Sequence, residues 1–161
     1  MKKLLAIDPG NCLSAFVVLE GYRPIRFAKA ENDAILRLLR DDWHAGDPVV
    51  LERVASFGMA VGRDVFETCE WVGRFAQTAL DNGCAVHYVF RNEEKMNICY
   101  DSRAKDANIR RALIDRFAGH DLKNGKGTKR NPDFFYGFSK DVWAAFAVGV
   151  TWLDRQKACE G

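Results

Sequence analysis

The first twenty residues do most to limit what this chain can fold into. An apolar run, Leu4-Leu5-Ala6-Ile7, ends on Asp8-Pro9-Gly10-Asn11, and a second apolar run from Leu13 to Leu19 follows at once. Short apolar runs bounded by Pro-Gly-Asn turn chemistry read as buried strands, here over 3–9 and 13–19. So short a connection joins only antiparallel neighbours, since a parallel crossover needs a dozen residues or more. The hairpin leaves Asp8 at a strand end, badly placed for core packing and well placed to face an open site.

The remaining pattern builds on that hairpin. A more polar third strand is expected over 23–29, with Pro24 marking an edge position. Residues 32–42 have helical character with Asn32 or Asp33 as cap, and Gly46-Asp47-Pro48 breaks the chain before a strand at 49–53. The longest amphipathic helix spans 63–81, where Val65, Phe66, Cys69, Val72, Phe75, Ala76 and Ala79 recur at three- and four-residue steps. Asn82-Gly83 ends it, a strand follows over 84–90, and helices follow at about 103–117 and about 139–156. This order predicts an α/β fold: a mixed five-stranded sheet, its first three strands antiparallel, flanked by helices. With 161 residues and no repeat, one domain over 1–161 is expected.

Composition excludes several classes. A content of 48% hydrophobic and 29% charged residues is that of a soluble globular protein, and no run approaches the ~18 apolar residues of a membrane span. No signal peptide follows Met1-Lys2-Lys3, because Asp8-Pro9-Gly10 interrupts the apolar stretch. Cys12, Cys69, Cys84, Cys99 and Cys159 are scattered without CxxC spacing, so they are expected as reduced thiols and small core residues in a cytoplasmic protein. His44, His87 and His120 are unclustered and read as structural. The formal charge of +2 does not by itself call for a polyanion, so any such partner must be argued from charge distribution.

Three acids stand out by setting: Asp8, Glu52 after Val49-Val50-Leu51, and Asp141 at the start of an apolar helix. Each has a plainer explanation. Asp8 could cap its turn, Glu52 could pair with Arg53, and Asp141 could be a helix-start acid favoured by the macrodipole. Together they say more, because strands carrying Asp8 and Glu52 as a parallel pair would project both onto one edge, where open α/β sheets place their sites. Hard Mg²⁺ prefers oxygen ligands, and two such ions ~4 Å apart suit phosphodiester hydrolysis. Mg²⁺ is therefore the expected cofactor, with Mn²⁺ as an acceptable substitute. Positive charge collects in the Gly-rich loop carrying Lys123, Lys126, Lys129 and Arg130, expected to be mobile, and around Arg91, Lys95, Arg103, Lys105 and Arg110. Such groups would neutralise phosphates.

The segments Leu4-Leu-Ala-Ile-Asp-Pro-Gly10, Val49-Val-Leu-Glu-Arg53 and Lys140-Asp-Val-Trp-Ala-Ala-Phe-Ala-Val148 resemble the acidic motifs of RuvC-type Holliday-junction resolvases. Residues 57–73 and 104–116 resemble the phage-borne branch, in the same order along nearly the whole chain. The resemblance implies an RNase H-like fold, a homodimer, and Mg²⁺-dependent nicking of branched DNA in recombination and repair. It matches Asp8 to the first-strand aspartate, Glu52 to the fourth-strand glutamate and Asp141 to the first aspartate of the last-helix motif. That motif carries a second aspartate three residues on, where this chain has Ala144; if Asp141 matches the second aspartate instead, the missing one falls at Phe138. Asp101, Asp106 and Asp133 are the alternative fourth ligands.

The resemblance also sets Lys95 and Lys105 near positions where RuvC-type enzymes carry basic residues close to the scissile phosphate. It makes Phe57, in the loop after Glu52, a wedge for the opened junction, against the plainer reading of a core Phe at a helix entry. Phe66, Trp71 and Phe75 spread beyond one stripe of the 63–81 helix and would supply the dimer interface. Two other readings stay open: a catalytically silent branched-DNA-binding protein, suggested by Ala144, and an RNase H-like nuclease acting on flaps, forks or RNA.

Overall fold

The computed structural model describes residues 2–56 and 58–161. Its sheet has the order β3-β2-β1-β4-β5, with β1 over Lys3–Asp8, β2 over Leu13–Glu20, β3 over Arg23–Glu31, β4 over Val49–Arg53 and β5 over Val86–Phe90. β1 pairs antiparallel with β2 and parallel with β4, and β4 pairs parallel with β5. This is the mixed sheet read from the sequence, with β3 as the edge that Pro24 suggested.

The helices are α1 over Asn32–Arg37, α2 over Arg63–Asp81, α3 over Arg91–Cys99, α4 over Asp106–Phe117 and α5 over Lys140–Glu160. The chain leaves α1 through a π-helical turn, Leu38–Asp42. Asn32 does not cap α1. Glu31 takes the cap position, and the buried Asn32 amide bonds Ser14 and Gly10 instead. Sequence periodicity missed α3 altogether. The helix starts directly after β5 without a turn signal, and its one buried residue is a glutamate, Glu94, so no apolar stripe announces it.

Alternation along the strands splits the core in two. Leu5, Ile7, Phe16, Val18, Val49 and Leu51 face α1 and α2. Leu4, Ala6, Ala15, Val17, Leu19, Val50 and Val89 face α5, with Ile109, Leu113 and Ile114 of α4 closing the layer. α5 lies close on the sheet because residue 149 is glycine: a Cβ there would sit 2.6 Å from Leu19 Cδ1 and 3.2 Å from Ala6 Cβ. Close seating of α5 brings its first turn over the end of β1.

One irregularity in the sheet matters below. Glu20 pairs with Arg23 and Leu19 with Pro24, but Val18 pairs with Arg26, so Ile25 is an extra residue on β3. Beyond that bulge every β3 side chain is shifted by one position, and hence to the opposite face.

The cysteines only partly follow expectation. Cys84 is buried and Cys99 half-buried, but Cys12, Cys69 and Cys159 are exposed; all five are free thiols. They sit at a strand end or on helix faces away from the core, where composition alone gives no warning. No helix among the described residues is long and apolar enough to cross a membrane.

Candidate active site

The Asp8 turn is closed without Asp8. Gly10 N–H donates to Ser14 Oγ (3.0 Å), the Ser14 hydroxyl donates to Asn32 Oδ1 (2.6 Å), and Asn32 Nδ2 donates back to the Gly10 carbonyl (2.9 Å). Asp8 takes no part in these bonds, so turn capping does not explain it. Glu52 does not pair with Arg53 either, since Arg53 lies over the Tyr88 ring at 4.7 Å. The parallel register, Ile7 opposite Leu51, brings the Asp8 and Glu52 ends of β1 and β4 out side by side. α5 adds Asp141 in its first turn, and Lys29 Nζ of β3 donates to Asp141 Oδ2 at 2.7 Å.

A fourth acid comes from α3. Glu94 is fully buried, with Oε1 accepting from Arg91 Nη1 at 3.1 Å. The Oε2 atoms of both Glu94 and Glu52 are buried without a donor. Burial pushes the Glu94 carboxyl well above the usual range, and the neighbouring Glu52 charge pushes it further while Arg91 opposes the rise. Asp8 is pushed up to about 7, first by burial and then by the Glu52 charge; Asp141 adds to the rise, while Arg91 and Lys29 oppose it. Asp8, Glu52, Glu94 and Asp141 thus form one electrostatic unit at the end of β1 and β4.

Asp101 and Asp133 are engaged elsewhere, whereas Asp106 lines the same cleft as Ala144. Asp101 accepts from the Arg103 backbone at 2.9 Å, and Asp106 is ion-paired with Arg91. Asp133 accepts from the backbone N–H of Gly119, His120, Asp121 and Phe134, which holds its carboxyl far below the usual range. The position three residues after Asp141, Ala144, lines a small cleft with Arg91, Asp106, Arg110 and Lys140. Phe138 lies inside an aromatic cluster, 4.7 Å from Phe27 and 5.2 Å from Phe135, where an acid would have no outlet.

An oxygen-only donor set suits a hard divalent cation in kind. Among the described residues, no three His, Cys, Asp or Glu side chains converge closely enough to cage an ion as they stand. Asp141 is drawn toward Lys29 and Glu52 toward Glu94, so closing on an ion means releasing Asp141 from its lysine.

The basic residues divide by location. Lys95 is half-buried on α3, while Lys105 and Arg103 are exposed, Lys105 at the start of α4. Arg91 is a counter-ion for Glu94 and Asp106 rather than an open cation. Arg110 stacks over Trp143 at 5.3 Å with its Nε buried and unpartnered, and it lines an open cavity of about 400 Å³ with Lys123, Asn124 and Lys126. Lys129 and Arg130 sit at the exposed tip of the same loop.

That loop is stapled, contrary to the expectation of mobility. The Asp121 carboxylate accepts from the backbone of Asn124, Lys126 and Gly127, and Arg111 donates to the Lys123 carbonyl at 3.0 Å. Gly127 has φ +65°, and a Cβ on it would meet the Asn131 carbonyl at 2.3 Å, so its glycine permits a fixed turn rather than motion. The wedge assigned to Phe57 lies outside the described residues. Of the aromatics assigned to a dimer face, Phe75 is fully buried and Trp71 packs on it at 5.8 Å, because the α2 periodicity turns both inward; Phe66 is 61% exposed.

Comparison with solved structures matches this arrangement of elements. The structure of Thermus thermophilus RuvC in complex with a Holliday junction substrate superposes with a TM-score of 0.67 at 13% identity, covering 98% of this chain and 97% of that one. A second Thermus thermophilus RuvC structure gives 0.65 at 14% identity, covering 97% and 96%. The fold is RuvC-type. No family model and no curated protein matches the sequence.

Glu94 and Lys29 lie at this cluster, and the sequence did not single out either. Glu94 sits in an unrecognised helix. Lys29 was hidden by the bulge, since counting back from the β2–β3 turn pairs it with Ser14, on the wrong face, whereas it lies opposite Ala15.

Proposed function

We propose that this chain is a structure-selective endonuclease that cuts branched DNA, Holliday junctions foremost, by divalent-metal-dependent phosphodiester hydrolysis. The observation that carries this reading is the meeting of Asp8, Glu52 and Asp141, with Glu94 behind them, at one end of a RuvC-type sheet. Burial first and the Glu52 charge second disfavour the Asp8 carboxylate, and a bound cation would offset both.

Asp8, Glu52 and Asp141 would hold Mg²⁺, with Mn²⁺ as a substitute. When bound, such an ion supplies Lewis-acid activation of water and stabilisation of the leaving oxygen. The chain's own groups do the rest. Glu94 fixes the Glu52 carboxylate from behind, and Arg91 holds Glu94 in turn. Lys95 and Lys105 approach the scissile strand, and Arg110, Lys123 and Lys126 receive a flanking phosphate in the cavity beside α5. Arg103, Lys129 and Arg130 add exposed charge around that path. A two-fold homodimer would present two such sites for paired cuts.

A synthetic four-way junction tests this directly. Binding in EDTA and paired nicking in Mg²⁺ are expected of the native sequence, with nicking but not binding lost in Asp8→Asn. Ala144, at a position where an acid was expected, favours one rival, a catalytically silent junction binder. Tight binding without nicking in either Mg²⁺ or Mn²⁺ would establish that rival. Flap, fork and RNA substrates in the same assay separate the remaining nuclease readings.

A further inference from the structure

We propose that Lys29 is a phosphate-contacting residue of this site, held in reserve by Asp141 until a cation takes that carboxylate. The inference rests on the nuclease reading above. Lys29 is aimed at the site by the sheet itself. Asp8 lies opposite Ala15 on β2, and Ala15 lies opposite Lys29 on β3, so the three form one row across the α5 face. Ala15 is the only side chain between them, and its single methyl leaves the lysine room to reach across to Asp141 at 2.7 Å.

Two features make a purely structural salt bridge a poor account. Both partners are substantially exposed, Lys29 at 43% and Asp141 at 42%, and exposed pairs contribute only about 0–1 kcal/mol. The bulge at Ile25 is what places Lys29 on this face; without it the lysine would point to the α1 and α2 side. Bulges re-aim side chains next to active sites, and here the re-aimed side chain is the one cation that β3 sends into an acidic cluster.

The geometry gives Lys29 two successive partners. In the resting protein its ammonium neutralises Asp141, and its charge lowers the Asp8 carboxyl against the pull of burial. Once Asp141 turns to a divalent ion, the ammonium is left without its carboxylate beside the ends of β1 and β4. An incoming phosphate supplies the replacement anion. This also addresses Ala144: a chain short of one acid binds less cationic charge, and a lysine at the site makes up part of the deficit.

The test compares the full-length native protein with Lys29→Met and Lys29→Arg. Two quantities are read: single-turnover cleavage of a saturating four-way junction, and Mn²⁺ affinity by calorimetry without DNA. Lys29→Met is expected to cleave on the order of 10²-fold more slowly. It should also bind Mn²⁺ up to about fivefold more tightly, since Asp141 is released from an exposed pair. Lys29→Arg should recover most of the cleavage. Opposite movements of the two quantities support the proposal, because a lysine that only holds the fold would weaken both. Unchanged cleavage in Lys29→Met overturns it, as does a parallel loss of cleavage and Mn²⁺ binding. If the native protein itself never cuts, the nuclease reading fails and this inference falls with it.

Discussion

Burial at the end of β1, with Glu52 and Asp141 close by, pushes the Asp8 carboxyl from 3.8 up to about 7. Between those values the folded protein holds a proton that the unfolded chain has lost, so stability falls as pH rises through that window. Asp8→Asn is therefore expected to raise the melting temperature of the metal-free protein at pH 8 by about 3 °C or more, and by clearly less at pH 5, where only part of that window has been crossed. Added Mg²⁺ at pH 8 should stabilise the native sequence more than the variant, and thermal melts at the two pH values check both statements. Glu94 separates differently. Glu94→Gln keeps the side-chain shape and an acceptor for Arg91 and should leave cleavage within about threefold. Glu94→Ala leaves Arg91 and Glu52 without a buried partner, and urea titration should show a loss of about 2 kcal/mol or more.

At the scale of elements, legibility followed apolar pattern. β1, β2, β4 and α2 announced themselves through runs or periodicity, and α2 occupies the predicted 63–81. α3 did not, since what it buries is a charge pair, and neither did the placement of Lys29, since a one-residue bulge cannot be read from alternation. The acids Asp8, Glu52 and Asp141 were legible because strand ends and helix starts are. The loop at 123–132 was misread as mobile because its order comes from the flanking carboxylates of Asp121 and Asp133 bonding backbone N–H groups, a use that composition does not reveal. Its rigidity divides the basic residues. Replacing Lys123 and Lys126, which line the cavity with Arg110, should weaken junction binding and reduce the slope of log affinity against log salt by about 0.9 per lost phosphate contact. Replacing Lys129 and Arg130 at the tip should do less. Fluorescence anisotropy across a salt series distinguishes the pairs.

For the whole molecule, the order of strands and helices was largely readable from hairpin, turn and helix signals, whereas assembly was not. Phe66 stands out on α2 with 61% of its surface exposed, the most outward-facing of the three aromatics assigned to a dimer face. If two copies meet through this helix, Phe66→Glu should yield a monomer in sedimentation velocity and convert paired cuts to single nicks on a junction.

The site draws on residues from end to end of the chain: 8, 29, 52, 94 and 141. The last of these arrives on α5, the helix that also covers the sheet beneath it through Gly149. A chain still being synthesised, with α5 not yet made, has neither its final acid nor the cover that seats that acid over β1. Under the nuclease proposed above, such a ribosome-bound intermediate would be unable to cut DNA, so the position of one helix in the chain would also act as a safety catch.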